Sequence, residues 1–242
     1  MSYERILKKF SQQWVIANTA IWSVSFALTS FVHFALSIGV KPAVEYNMRV
    51  TATYVSFAVG NVVIGLVQWL VLRRQVLRIS IWWILTSIPG LHTGVFVGFF
   101  SAFYIMNHLF NIGFAGYVQM FIGSIVAGAV GGLIGGAVTG VAQFIFLIRR
   151  ITLTRLWIIW ILTSAVAWAV GWSTGCAMSS FVGLAAGNAV SPSLANEVSV
   201  VVFGLMFGII SGFLNGVVTG KVLVWALRRS RIDGTANTAN HT

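Results

Sequence analysis

Three histidines are the side chains of this sequence best suited to chemistry inside a membrane. His92 lies near the middle of an apolar run, and His33 and His108 lie toward the ends of two such runs. A neutral imidazole in an apolar helical bundle is a suitable axial ligand for a haem iron or a chlorophyll magnesium. The structural alternative is a histidine that bonds to a carbonyl on a neighbouring helix. No symmetric pair of histidines stands at matched places along the chain, so we expect no cofactor.

Catalytic carboxylates and nucleophiles have few candidates. The four acidic residues are Glu4, Glu45, Glu197 and Asp233, and none falls in the middle of an apolar run. A proton-coupled carrier usually needs a carboxylate within the membrane, which disfavours that class. The motifs of zinc proteases, nucleotide-binding loops, serine hydrolases and cysteine pairs are missing from the sequence. We therefore predict that the protein is not an enzyme and has no metal site of its own.

Other polar side chains within the apolar runs have both functional and structural interpretations. Lys221 lies two turns, about 10 Å, before Arg228, and we expect it to extend toward the lipid headgroups. The alternative for Lys221 is a counter-ion or substrate contact. Four amide side chains are expected to form hydrogen bonds between helices: Gln68, Gln143, Asn61 and Asn215.

The composition is that of an integral membrane protein. Of 242 residues, 58% are apolar and 8% are charged, whereas soluble domains carry about 25% charged residues. The net charge of +11 comes mostly from short basic clusters at the ends of apolar runs. A nucleic-acid interface would need a basic stripe among exposed polar residues, so the sequence predicts no nucleic-acid partner.

Six apolar runs are long enough to span roughly 30 Å of hydrocarbon, which takes about 20 residues. They lie near residues 14–38, 52–72, 81–107, 117–148, 156–187 and 198–227. The sequence therefore predicts an all-α integral membrane protein with six transmembrane helices. Pro89 predicts a kink in the third helix. We expect one membrane domain, 1–231, followed by a disordered polar tail, 232–242.

An internal repeat relates the six runs to one another. The sequence Trp-Ile-Leu-Thr-Ser occurs at 83–87 and again at 160–164, each time near the start of an odd-numbered run. The even-numbered runs all end in a pair of arginines that follows a glycine. We therefore predict three tandem helical hairpins, at 11–74, 80–150 and 156–229.

Small residues four apart form regular ladders in two of the runs. Because residues four apart lie on one face of a helix, each ladder makes a face without side chains. An interior glycine costs roughly 1 kcal/mol relative to alanine in soluble helices, so this spacing favours close helix packing in lipid. Similar small faces occur in the odd-numbered runs, and we expect the two helices of each hairpin to meet through them. The ladders are Ser124, Gly128, Gly132, Gly136 and Gly140, and Gly204, Gly208, Gly212, Gly216 and Gly220.

The basic residues predict the orientation of the chain in the membrane. With six spans, the clusters near the N-terminus, between the hairpins and after the last span all fall on one side. Both termini are therefore predicted to be cytoplasmic. Paired arginines in these clusters are expected to contact anionic headgroups, at about 1 kcal/mol per basic residue. The pairs are Arg73 and Arg74, Arg149 and Arg150, and Arg228 and Arg229.

Two short segments carry a resemblance to known proteins. Gln68-Trp69-Leu-Val-Leu-Arg-Arg74, followed by Trp82-Trp83-Ile-Leu-Thr-Ser87, resembles a group of repeat-containing bacterial membrane proteins that are common in cyanobacteria. This chain has Thr86 where that group has alanine. The resemblance implies a bacterial inner or thylakoid membrane, and it brings no activity or ligand with it.

The sequence supports three classes of function to different degrees. The leading hypothesis is a non-enzymatic polytopic membrane protein that binds lipid or helps to assemble other membrane proteins. The first alternative is a channel or carrier for a small solute or ion, since tandem repeats are common in transporters. The second alternative is a haem- or chlorophyll-binding protein that uses the three histidines.

Overall fold

The described part of the chain folds into six long α-helices. The computed structural model describes residues 2–39, 42–75, 80–111, 116–147, 156–189 and 195–239. A short 3₁₀ helix, Ile81–Leu85, precedes the third long helix. The long helices are α1 (Tyr3–Gly39), α2 (Pro42–Gln75), α3 (Ser87–Asn111), α4 (Tyr117–Leu147), α5 (Leu156–Asn188) and α6 (Ala195–Ala239).

The distribution of side chains is suited to a hydrocarbon environment. Within the described residues, six helices are long and apolar enough to cross a membrane. Their outward faces carry large apolar side chains such as Ile16 and Leu162, whereas Asn18, Ser164 and Ser211 are buried. In lipid, outward apolar surface is favourable and polar groups must pair inside the bundle. The chain is therefore an all-α polytopic membrane protein, and the predicted fold class is confirmed.

The helices form a ring in which each lies beside the next and α6 returns to α1. In the first antiparallel pair, the Ser25 hydroxyl of α1 donates to the Gly60 carbonyl of α2 over 3.3 Å. In the last pair, the Ser211 hydroxyl of α6 donates to the Gly171 carbonyl of α5 over 2.9 Å. The exception in this ring is the contact between α2 and α3: besides packing on α1, α2 lies against the 3₁₀ helix and touches α3 at few points.

The two long glycine ladders join helices of different hairpins. A methyl group built on Gly208 of α6 would lie 2.5 Å from the Trp22 carbonyl oxygen of α1. A methyl group on Gly132 of α4 would lie 2.5 Å from the Trp168 carbonyl oxygen of α5. Real side-chain carbons are not found this close to backbone, so each ladder allows two helix backbones to come into direct contact.

Within a hairpin, the small face of the odd-numbered helix does meet its partner, but the face of α4 that it meets is not the predicted ladder. Gly131 and Gly135 of α4 face the backbone of α3, where their neighbours include Gly94 and Gly98. Each of these two glycines directly precedes a member of the ladder, which places it about 100° around the helix, on an adjacent face. Helix α4 therefore has two faces of small residues, one toward each neighbouring helix.

The region before α3 also differs from the prediction. The sequence predicts a kink at Pro89 within a continuous helix, but the α-helix starts anew at Ser87, after the 3₁₀ helix. Proline has no N–H, so Pro89 cannot make the helical bond to the Leu85 carbonyl, and it is tolerated in the first turn of a new helix. The Thr86 N–H instead bonds to the Trp83 carbonyl and ends the 3₁₀ helix.

Several helices extend beyond the apolar runs. Helix α1 begins at Tyr3, and α6 continues to Ala239 through much of the segment that the sequence predicts to be disordered. Adding a residue to an existing helix is far easier than nucleating one, so polar residues continue a helix that apolar residues have established.

Candidate functional site

A small polar chamber lies in the interior of the bundle. Ten side chains line this central chamber, from every long helix except α3, and none is more than 6% exposed. Five of them are polar amides or hydroxyls, and four are tryptophans. They are Trp14, Trp22, Ile64, Gln68, Gln143, Trp160, Ser164, Trp168, Asn215 and Thr219.

Two aromatic clusters lie on either side of the central chamber. One contains Phe10, Trp14 and Trp160 with other apolar residues, among them Leu7 of α1 and Leu223 of α6. The other is centred on Trp22 and Trp168, whose rings meet edge to face with centroids 5.3 Å apart. The polar layer therefore lies between two apolar layers within the bundle.

A chain of hydrogen bonds crosses the chamber wall between helices. The Asn18 amide donates to the Trp14 carbonyl over 2.8 Å, and the Gln68 amide donates to the Asn18 side-chain oxygen over 2.8 Å. The Trp14 indole N–H donates to the Thr219 hydroxyl over 2.9 Å, and that hydroxyl donates to the Asn215 carbonyl over 2.6 Å. These bonds connect α1 to both α2 and α6.

The amides predicted to join helices therefore behave differently from one another. Gln68 does bond across to α1. Asn61 instead donates to the Phe57 carbonyl of its own helix over 2.8 Å. Gln143 and Asn215 both line the central chamber. The sequence indicated polar contacts between helices, but it gave no sign that three of these amides would converge on one chamber.

Four polar atoms of the chamber lining have no hydrogen-bond partner among the described residues. Two are donors, the indole N–H groups of Trp22 and Trp160. Two are acceptors, the side-chain oxygens Oε1 of Gln68 and Oδ1 of Asn215. Leaving a buried polar group unpaired costs about 1–3 kcal/mol, so four such atoms around one chamber require an explanation.

A second feature is a groove between α1 and α6 that carries basic side chains. Its volume is about 620 Å³. Four of the residues that line this basic groove are cationic and one is acidic. The lining residues are Glu4, Arg5, Leu7, Lys8, Ser11, Lys221, Val224, Trp225 and Arg228.

The charges in the basic groove are only partly compensated. Arg228 forms an ion pair with Glu4 across the two helices. Both side chains are more than half exposed, so this pair contributes little to stability. In the described part of the chain, Arg5, Lys8 and Lys221 have no carboxylate partner. The groove is therefore a cationic surface next to the exposed indole of Trp225.

The arginines that were predicted to contact anionic headgroups lie in different environments from one another. Arg228 lines the basic groove, and Arg73 lies over the ring of Trp69 at 4.8 Å. Arg74 and Arg229 are exposed. Arg149 and Arg150 lie outside the described residues.

Arg5 and Lys8 were not among the predicted lipid contacts, although the sequence carries a signal for the groove. Lys221, Trp225 and Arg228 have the spacing that puts residues on one face of α6. Arg5 and Lys8 are three apart on α1, which likewise puts them on one face. What the sequence could not provide was the pairing of these two faces.

The structure does not bring His92 and His108 together. The Nδ1 atom of His92 lies 2.9 Å from the Ile88 carbonyl of its own helix. His108 is exposed and lies with Phe103 and Tyr104 along an outward cleft of α3, about 24 Å along the helix from His92. His33 belongs to α1, but its side chain lies outside the described residues. Within the described residues, no group of three potential metal ligands is found.

The two features offer different chemistry. The central chamber is electrically neutral, buried and small, whereas the basic groove is cationic and open to its surroundings. Comparison of the chain with protein-family models, with curated proteins and with solved structures finds no match.

Proposed function

We propose that this protein is a non-enzymatic polytopic membrane protein that binds anionic phospholipid and has a structural role, such as supporting the assembly of other membrane proteins. The basic groove is the observation that carries the proposal. Arg5, Lys8 and Lys221 present positive charge without a carboxylate partner in the described chain. Each basic residue near a membrane surface attracts anionic lipid by about 1 kcal/mol.

The form of the groove supports a lipid headgroup as its ligand. Val224 and the exposed Trp225 lie beside the basic residues, so the groove combines apolar surface with cationic tips. Tryptophan is enriched at the level of lipid headgroups, where its ring is partly apolar and its N–H is polar. Lys221 extends from α6 into the same groove, as expected for a side chain that reaches toward the headgroups.

Replacing both Lys8 and Lys221 by glutamine is expected to weaken phosphatidylglycerol binding about 30-fold. The two charges contribute about 2 kcal/mol together, and each 1.4 kcal/mol corresponds to a factor of ten. The measurement is a titration of the detergent-solubilised protein with phosphatidylglycerol, in which lipid adducts are counted by native mass spectrometry.

Lys9 provides a matched control because it is an exposed neighbour of Lys8 that does not line the groove. Lys9→Gln is expected to change the apparent Kd less than about twofold, since a charge outside the site acts only through the screened surface potential. Equal losses in Lys8→Gln and Lys9→Gln would mean that lipid follows overall charge, and would refute a site in the groove. Equal binding of phosphatidylcholine by the unaltered protein would refute it as well.

We also propose that the end of the bundle with Arg5, Lys8, Arg74 and Arg228 faces the cytoplasm, in a bacterial inner or thylakoid membrane. In a Cys176→Ser background, Arg74→Cys and Arg229→Cys are expected to react with an impermeant maleimide from the cytoplasmic side only. Asn107→Cys, at the far end of α3, is expected to react only from the opposite side. Labelling of positions 74 and 107 from the same side would contradict both the orientation and the number of spans.

The alternative of a channel or carrier requires a change in the bundle interior. The central chamber is small. The volume in which the centre of a water-sized sphere fits is about 10 Å³. A cavity of this size holds about one water. Passage of any larger solute along this route would require the helices to separate.

A further inference from the structure

We propose that the central chamber binds one water molecule, held by two tryptophans and two amides. The indole N–H groups of Trp22 and Trp160 donate to this water, and the water donates to the side-chain oxygens of Gln68 and Asn215. The inference rests on the interior of the bundle, so it is independent of lipid binding in the basic groove.

The unpaired atoms match the hydrogen-bonding capacity of water. A water molecule has two hydrogens to donate and two lone pairs to accept, and buried waters typically make about three hydrogen bonds, within a range of two to four. The chamber lining supplies two unpaired donors and two unpaired acceptors. The volume available there to the centre of a water-sized sphere is about 10 Å³, which is close to the volume that one water needs.

The local hydrogen bonds determine which atom of the Gln68 amide remains unpaired. The Trp14 carbonyl can only accept, so the Asn18 nitrogen must face it and the Asn18 oxygen must face Gln68. The Gln68 nitrogen therefore donates to Asn18, and its oxygen is left for another partner. Turning the Gln68 amide over would place two oxygens against each other.

The mixture of donors and acceptors also distinguishes water from an ion. A bound metal cation would be coordinated by oxygens alone and would be repelled by the hydrogens of the Trp22 and Trp160 indoles. A bound anion would be repelled by the Gln68 and Asn215 oxygens. A neutral molecule of the same size that both donates and accepts satisfies all four atoms, and water is the one that is always present.

Solid-state NMR of the protein in lipid bilayers tests the proposal directly. With ¹⁵N-labelled tryptophan, magnetisation transfer from water is expected to reach the indole N–H groups of Trp22 and Trp160. Trp22→Phe and Trp160→Phe remove the indole N–H groups and so assign the two signals. In the double variant Gln68→Met and Asn215→Leu, the transfer to both indoles is expected to be lost, because the acceptors that retain the water are gone.

A control and a second measurement separate the chamber from the rest of the bundle. Trp172 is also buried with an unpaired indole N–H, but it does not line the chamber, so its water transfer is expected not to change in the double variant. In unfolding equilibria, Trp160→Phe and Gln68→Met are expected to deviate from additivity by about fivefold, since a shared water couples them. The pair Trp172→Phe and Gln68→Met is expected to be additive.

Three outcomes would overturn the proposal. The first is a high-resolution structure in which the Gln68 and Asn215 amides bond directly to the two indoles. The second is density in the chamber whose neighbours are oxygens alone, which would identify a cation. The third is water transfer that persists unchanged in the Gln68→Met and Asn215→Leu double variant.

Discussion

Gly208→Leu is expected to lower the melting temperature of the protein in mild detergent by roughly 6–12 °C. Even one methyl group at this position would lie 2.5 Å from the Trp22 carbonyl oxygen and 2.7 Å from the Ser23 Cα. Overpacking a tight interface typically costs about 1–3 kcal/mol, and a clash with backbone belongs at the upper end or above. For a chain of this size, 1 kcal/mol corresponds to about 2–4 °C, so a cost of about 3 kcal/mol gives the expected fall.

The expected loss has a specific cause, which is separation of α6 from α1. Ala20→Leu adds similar bulk to the exposed face of α1, and we expect it to change stability by less than about 0.5 kcal/mol. Gly208→Ala is expected to fall between the two, because the smaller clash is partly offset by the better helix propensity of alanine. Equal melting temperatures for Gly208→Leu and Ala20→Leu would show that this ladder is not a contact between helices.

Trp83→Ala is expected to cost about 3–5 kcal/mol of folding free energy, which corresponds to a fall in melting temperature of roughly 6–20 °C. The Trp83 side chain is 0% exposed and packs in the aromatic cluster that contains Trp69 and Trp160. Removing it leaves a large cavity beneath the 3₁₀ helix. Because α2 contacts that helix more extensively than it contacts α3, faster hydrogen exchange is expected in residues 60–75 of α2.

The adjacent tryptophan is the matched control for this variant. Trp82 belongs to the same 3₁₀ helix but is 60% exposed, so Trp82→Ala is expected to change stability by about 0.5 kcal/mol or less. The two variants remove the same side chain at neighbouring positions, and only burial differs between them. A larger loss in Trp82→Ala than in Trp83→Ala would contradict the placement of the 3₁₀ helix against α2.

Local properties of the sequence predicted local features of the structure. Runs of about 20 apolar residues identify spans because the thickness of the hydrocarbon sets their length. Helix ends were predicted less well, since polar residues at both termini continue established helices to Tyr3 and Ala239. Pro89 marked a real interruption, but whether it kinks one helix or starts another depends on how residues 81–86 pack against α2.

The sequence by itself determined the membrane class, the six spans and the positions of the small residues, because hydropathy and spacing are properties of single segments. Only the tertiary structure decided that the α4 ladder meets α5 and the α6 ladder meets α1. It also decided that Gln68 bonds to Asn18, 50 residues away, and that Trp14 bonds to Thr219, 205 residues away. Such pairs depend on the rotation of each helix and on closure of the ring between the first and last helices, and no pattern within one helix encodes either of these.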